Sequence, residues 1–169
     1  YQMLSEVEKT FKKWSPAIFM GWSNIGFDDE MIRKEFFKGI RYPYITNASP
    51  NKRHDGINIA RAAYAVDSSV LETEINEKNN PVFKLESLSR MQGLDSSDAH
   101  SALTDATLTA KILSIIKKRQ PSTWDMFLRT ANKLDTETIF KKEEIFSLNE
   151  YFYGKSRLYL CCLLYTSDA

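Results

Sequence analysis

Residues 17–38 read AIFMGWSNIGFDDEMIRKEFFK, and this stretch decides the predicted fold. The apolar run AIFMGW at 17–22 predicts a short buried strand, followed by a loop at Ser23–Phe27. From Asp28 to Lys38 the apolar residues return at helical spacing, which predicts a helix. The chain therefore passes from a strand through a loop into a helix whose first residues are acidic.

Helices are also predicted on both sides of this stretch. Residues 1–14 carry apolar side chains at steps of three and four, and Pro16 ends that pattern. Downstream, helical spacing recurs in four segments, Ile57–Val66, Phe83–Gln92, Ser97–Arg119 and Ser122–Ala131. The polar composition of Tyr42–Asp55 and Asp67–Asn80 predicts a loop and an exposed connection.

The segment Ser97–Arg119 is the strongest predicted helix. Ser97 or Asp98 can cap its start, and Lys117–Arg119 suits the negative end of the helix dipole. The side chains predicted to form its buried face are Leu103, Ala106, Ala110, Leu113 and Ile116 or Ile115. Beyond Asn132 the pattern weakens into a linker, with the start of a further element at Ile139–Leu160.

Composition narrows the function classes. The 169 residues are 43% hydrophobic, enough for one packed domain, and the net charge of +1 argues against a histone-like polycation. The only cysteines, Cys161 and Cys162, are adjacent, which favours a reducing, cytoplasmic setting. No apolar run approaches the roughly 20 residues that span a bilayer. We therefore predict a cytoplasmic protein without a membrane partner.

The final eight residues, Cys162–Ala169 (CLLYTSDA), can be produced by translating a transposase adapter used in sequencing libraries. We expect this stretch to be a read-through artefact, and a genuine amphipathic tail is the alternative. Segment 162–169 therefore has no weight in the predictions of fold and redox state.

Two acidic clusters carry the candidate chemistry. In the first, Asn24–Glu30, Asp28 and Asp29 suit the N-terminus of a helix, where they would bond free amides and face the positive end of the dipole. In the second, Asp105 lies within a helix that is otherwise apolar on one face, where a carboxylate needs a partner such as a metal. His100 precedes Asp105 by five residues, so both reach one site only if His100 lies at the mouth of the helix. A solvated face with a capping Asp98 is the alternative.

Taken together, the ordered segments resemble the DEDDh exonuclease superfamily, and within it the bacterial exodeoxyribonuclease I family. The resemblance runs through FDDEMIRKEFF, ARAAYAV, FKLESLSRMQGL, SDAHSALTDATLTAKIL and KKRQPSTWDMFL, over roughly residues 17–131. It implies an α/β fold of the ribonuclease H-like type, helix-rich here because the leading strands are missing. It also implies that Asp28 and Asp105 bind metal, that His100 is the general base, and that Asn24 and Phe27 line the substrate end of the cleft.

The function that this resemblance implies is 3′→5′ digestion of single-stranded DNA to 5′-mononucleotides, in DNA repair and recombination. Two Mg²⁺ ions, with Mn²⁺ as a substitute, would bridge the scissile phosphate. His100 would take the proton of the attacking water near neutral pH. The implied partners are single-stranded DNA and a single-stranded DNA-binding protein, and the implied state is a monomer.

One departure from the family pattern limits these expectations. The family needs a further Asp-x-Glu on an early strand, and none precedes Asp28 here. We therefore expect residues 1–131 to be a partial exonuclease domain without activity of its own. Residues 132–161 are expected to be a linker and the start of an SH3-like domain.

Two alternatives stay open at the level of sequence. One is a DEDDh exonuclease that acts on RNA or proofreads DNA synthesis. The other is a non-catalytic module that binds single-stranded nucleic acid. The basic residues Arg33, Lys34, Lys38 and Arg41 stand near aromatic residues, which suits nucleic-acid contact, but a solvated helix face explains them equally well.

Overall fold

The computed structural model describes residues 2–94, 101–131, 133–143 and 145–162. The chain divides into two compact units, residues 1–56 and 57–169. Among the described residues, no helix is long and apolar enough to cross a membrane.

The first unit contains two helices and a small parallel sheet. Helix α1 spans Gln2–Trp14, strand β1 spans Ile18–Gly21, helix α2 spans Asp28–Lys38 and strand β2 spans Lys52–Asp55. β1 and β2 pair in parallel, with Ile18 opposite Lys52 and Gly21 opposite Asp55. The predicted bounds of α2 are confirmed, whereas the predicted loop at Tyr42–Asp55 is wrong for its last four residues, which form β2.

Aromatic side chains hold the first unit together. Phe36 of α2 is fully buried, and its ring lies 6.5 Å from that of Phe11 on α1. Phe11 also packs edge-on against Phe19 of β1, at 5.0 Å between ring centroids. Burial of such rings contributes on the order of 2 kcal/mol each, so α1 and α2 are fixed to the sheet mainly by these contacts.

The second unit begins within α3, which spans Gly56–Val66. Further helices, α4 to α7, follow at Leu85–Met91, Ala102–Arg119, Pro121–Arg129 and Lys133–Lys142, with a short 3₁₀ turn at Ser68–Val70. Strands β3, Ile145–Phe152, and β4, Lys155–Cys162, pair as an antiparallel hairpin. The prediction that an SH3-like domain starts here stays a prediction. Residues 163–169 lie outside the described residues.

Helix α5, Ala102–Arg119, buries a stripe that matches the predicted one only in part. Leu108, Ile112 and Ile116 are at most 1% exposed, whereas Leu103 is 79% exposed and Ala106 and Ala110 are also exposed. The predicted burial of Leu113 and Ile116 is confirmed. Spacing alone does not choose between overlapping apolar stripes on one helix, and packing against α4, α6 and the 3₁₀ turn selects this one. The caps predicted at Ser97 or Asp98 lie outside the described residues.

Candidate functional site

The loop between β1 and α2 brings together three of the predicted site residues, Asn24, Phe27 and Asp28. Asn24 is only 6% exposed. Its Oδ1 atom accepts a hydrogen bond from the Gly21 amide at 3.1 Å, and its Nδ2 atom donates to Asp29 Oδ2 at 2.9 Å. The Asn24 side chain is thus engaged within the protein, and its predicted contact with substrate stays a prediction.

Because Gly21 has no side chain, the side chain of Asn24 can approach its backbone closely. A Cβ atom added at Gly21 would lie 2.8 Å from the Cβ of Asn24, closer than real side chains come. The backbone carbonyl of Asn24 accepts hydrogen bonds from the amides of Phe27 and Asp29, at 3.2 and 3.0 Å. Asn24 therefore binds both the end of β1 and the start of α2.

Phe27 and Asp28 face outward from this arrangement. Phe27 is the N-cap residue of α2, makes no side-chain cap bond, and is 65% exposed. Asp28, the first residue of the helix, is exposed and is followed by Asp29 and Glu30 in the same acidic turn. The positive end of the helix dipole stabilises negative charge at this position. An exposed ring and an exposed carboxylate are therefore presented side by side.

Asp29 is the buried neighbour of Asp28, with 6% exposure. Burial raises the pKa of Asp29, while the charge of Arg53 and the hydrogen bond from Asn24 oppose that rise. Arg53 Nε lies 3.4 Å from Asp29 Oδ2. Asp29 thus has partners on both sides and holds α2, the loop and β2 together.

Asp55, at the end of β2, also supports the loop. It is 4% exposed, and its two carboxylate oxygens accept hydrogen bonds from the amides of Ser23 and Ile25. Sequence reasoning missed Asp29, Arg53 and Asp55 as site residues. The available signal was the run RHDG at 53–56, which puts a carboxylate directly before a predicted helix.

Asp105 belongs to the second unit, in the first turn of α5. Its amide donates to the carbonyl of Ser101 at 2.9 Å, the ordinary bond of a helix start, and its side chain is half-buried. Asp28 belongs to the first unit and Asp105 to the second. His100, the predicted general base, lies outside the described residues.

The described residues do not by themselves make a metal site. Within residues 2–94, 101–131, 133–143 and 145–162, no group of three His, Cys, Asp or Glu side chains is placed to hold a metal ion. The carboxylates of Asp28 and Asp105 are chemically suited to Mg²⁺, which prefers hard oxygen ligands. Among the described residues, neither carboxylate is therefore part of a complete metal site.

The basic and aromatic residues of α2 show a mixed pattern. The side chain of Phe36 is buried in the core, whereas that of Phe37 is 74% exposed. The cations are largely paired with acids of the same unit, as in the ion pairs Arg33–Glu30, Lys38–Glu35 and Arg41–Glu8. Paired cations attract phosphates less strongly than unpaired ones, so this surface adds little to a nucleic-acid interface.

Comparison with known proteins gives a consistent result. The chain is 32% identical to Exodeoxyribonuclease I of Buchnera aphidicola subsp. Schizaphis graminum (strain Sg) over 168 residues, which are 97% of the chain. The chain spans only 34% of the length of that relative. No protein-family model matches the chain.

Solved structures show the same similarity. E. coli Exonuclease I in complex with a dA16 oligonucleotide matches with a TM-score of 0.76 and 27% sequence identity, over 82% of this chain and 30% of that chain. A structure of SSB/Exonuclease I in complex with inhibitor CFAM matches with a TM-score of 0.71 and 26% identity, over 82% and 30%. The predicted fold, a helix-rich part of an α/β exonuclease fold, is confirmed by these matches.

Proposed function

This chain belongs to the exodeoxyribonuclease I family, and on that premise we propose that the complete protein digests single-stranded DNA from the 3′ end. The chain spans about one third of the length of the relative that it matches. The product would be 5′-mononucleotides. The observation that carries the proposal is 32% identity over 97% of the chain. A nuclease of this kind belongs to DNA repair and recombination, in the bacterial cytoplasm.

The proposed residue roles are those that the resemblance implies, and the exposure of Phe27 and Asp28 supports them. The exposed carboxylate of Asp28 would bind metal, together with Asp105 and further ligands from outside the described residues. When bound, Mg²⁺ would stabilise the charge that develops on the phosphate and its leaving oxygen. The exposed ring of Phe27 would stack on a terminal base. His100 would accept the proton of the attacking water.

The chain alone would be inactive under this proposal, because it supplies two of the four acidic ligands that the family pattern requires. A single-stranded DNA-binding protein is proposed as a partner, since SSB and Exonuclease I occur together in one of the similar structures. The complete protein is proposed to act as a monomer.

The experiment uses the complete reading frame that contains this chain, with Mg²⁺ and a single-stranded DNA substrate. Asp105→Asn keeps the shape of the side chain but removes its charge, and we expect mononucleotide release to fall about 10³-fold. The control is Asp125→Asn, which removes an exposed aspartate from α6 and should leave the rate within about twofold. Equal rates for both variants would contradict the role of Asp105. DNA binding without nucleotide release by the unsubstituted protein would contradict the function.

A further inference from the structure

The carboxylate of Asp55 connects strand β2 to the loop between β1 and α2. Its Oδ1 atom accepts a hydrogen bond from the Ser23 amide at 2.8 Å, and its Oδ2 atom accepts one from the Ile25 amide at 3.4 Å. Asp55 pairs with Gly21 at the last position of the parallel ladder. One buried side chain thus holds two amides of the segment that leads to Asp28.

The loop adopts a shape that needs such support. Ser23 has a φ of 60°, in the left-handed region that residues other than glycine rarely adopt. Such a conformation persists only where the surrounding structure fixes it. The bond from the Ser23 amide to Asp55 fixes one side of this residue, and the Asn24 side chain fixes the other through Gly21 and Asp29.

Charge adds a second requirement. Asp28 and Asp55 are both close enough to Asp29 for their negative charges to act on it. Arg53 offsets this repulsion from its place on β2, with Nε 3.4 Å from Asp29 Oδ2. The Ser23 and Ile25 amides and Arg53 thus place positive or partly positive groups beside the carboxylates of Asp55 and Asp29.

We propose that Asp55 is a positioning residue of the exonuclease reaction, which fixes the loop that presents Phe27 and Asp28. This inference rests on the proposed function. Asp55 is 4% exposed, so its carboxylate is not available to a DNA strand, and it acts through the backbone of Ser23 and Ile25. A loosened loop would misplace the carboxylate of Asp28 during the chemical step, while the binding of DNA along the rest of the protein would continue.

The test compares Asp55→Ala with a matched control, Asn51→Ala, in the complete protein. Asn51 is 6% exposed and directly precedes the same strand. Its side chain accepts a hydrogen bond from the Ala17 amide at 3.0 Å and donates to the Ile45 carbonyl at 2.7 Å. Both substitutions remove a buried side chain that binds backbone, but only Asp55 binds the loop before Asp28.

Two readouts are measured for each variant: steady-state kinetics on single-stranded DNA, and hydrogen exchange at the amides of Ser23 and Ile25. We expect Asp55→Ala to lower kcat by about 10- to 100-fold, with KM changed by less than about threefold. Asn51→Ala should leave kcat within about twofold. The two amides should exchange faster in Asp55→Ala and at the original rate in Asn51→Ala.

Several other results would overturn the proposal, each for a different reason. If the two amides exchange faster in Asp55→Ala but kcat equals that of Asn51→Ala, the loop is loosened without consequence, and positioning is wrong while the proposed function stands. If the unsubstituted protein releases no nucleotide, both the function and the role of Asp55 are wrong. If Asp55→Ala does not fold, Asp55→Asn replaces it, because an amide keeps one acceptor for Ser23 and should give a smaller loss of kcat. An unchanged kcat in that variant would overturn the proposal.

Discussion

The loop before α2 and the first turn of α5 each carry one aspartate of the candidate site, but the two regions hold it differently. Asp28 follows a loop whose amides and buried side chains are bonded to Asp29 and Asp55. Asp105 stands in regular helix, where its amide bonds to Ser101 and the N-cap side chain makes no cap bond. The loop before the first aspartate is therefore fixed by buried side chains, whereas the backbone of the second belongs to a regular helix.

This difference predicts which of the two aspartates can be displaced by substitutions of residues that do not contact the substrate. A helix places its residues through repeated backbone bonds, so we expect changes beside Asp105 to disturb its backbone less than changes beside Asp28 disturb the loop. A loop depends on a few specific bonds, so changes to its buried partners should reach Asp28. The predictions below test this contrast, from the largest expected effect to the smallest.

Adjacent aspartates give the sharpest contrast. Asp28→Asn should lower nuclease activity of the complete protein about 10³-fold. Because Asp28 is exposed and only its interaction with the helix dipole is lost, the free energy of unfolding should change by less than about 1 kcal/mol. Asp29→Asn should instead destabilise the protein by about 1–3 kcal/mol, since a buried charge partner of Arg53 is lost, and retain more activity. Activity assays and urea unfolding measure both effects, and reversed results would show that Asp29 is the chemically active carboxylate.

Two glycines of the loop region form a matched pair. Gly21→Ala would place a Cβ atom 2.8 Å from Asn24, and should destabilise the protein by about 1–3 kcal/mol. Gly26→Ala meets no atom within 4 Å, and should change stability by less than about 0.5 kcal/mol. Urea unfolding of the chain, followed by tryptophan fluorescence, measures both. Equal stability of the two variants would mean that the contact between Gly21 and Asn24 does not shape the loop.

His54 makes the first unit sensitive to pH. Burial lowers its pKa from the ordinary value of about 6.5, so the unfolded chain binds a proton more readily than the folded chain. This contribution to stability is complete above about pH 6.5 and decreases as the pH falls below that value. The loss of unfolding free energy between about pH 7.5 and about pH 5 should be smaller in His54→Gln than in the original chain. Comparing the two proteins cancels the contributions of the groups that they share, and equal losses would contradict the prediction.

The smallest loss of stability is expected for substitutions in an exposed ionic network of the second unit. Glu74 accepts a hydrogen bond from Ser87 at 2.7 Å and pairs with Arg90, with 38% of its side chain exposed. Exposed pairs contribute little, so Glu74→Gln should cost less than about 1 kcal/mol in urea unfolding. The control is Glu86→Gln, whose contact with Arg90 is longer, at 4.0 Å. If Glu74→Gln costs as much as Asp55→Asn, burial is not what distinguishes the loop network.

Local signals predicted part of this fold, and non-local pairing explains most of what they missed. The bounds of α2 are readable because the acidic first turn and the helical spacing are both local features. Strand β2 has four polar or charged residues, Lys52–Asp55, and becomes a strand by pairing with β1. The stripe that α5 buries depends on which neighbours pack against it, and Leu103 and Ala106 were predicted on the wrong side.

The candidate site divides in the same way. The roles of Asp28 and Asp105 could be proposed from motif resemblance, since both lie in short recognisable segments. Asp55 could not be found this way, because its partner Ser23 is 32 residues away in sequence. Asn24 was predicted to contact substrate, and its burial against Gly21 and Asp29 became visible only in the structure.

The most direct test of the central claim follows a single-stranded oligonucleotide labelled separately at each end during digestion by the complete protein. With Mg²⁺, we expect the 3′ label to appear as a mononucleotide in the first turnover, while the 5′-labelled strand shortens step by step. Chelation of the metal should stop both. Binding of the oligonucleotide without release of either label would contradict the account and identify a non-catalytic single-strand binder. Release of the 5′ label first would contradict the proposed direction of digestion.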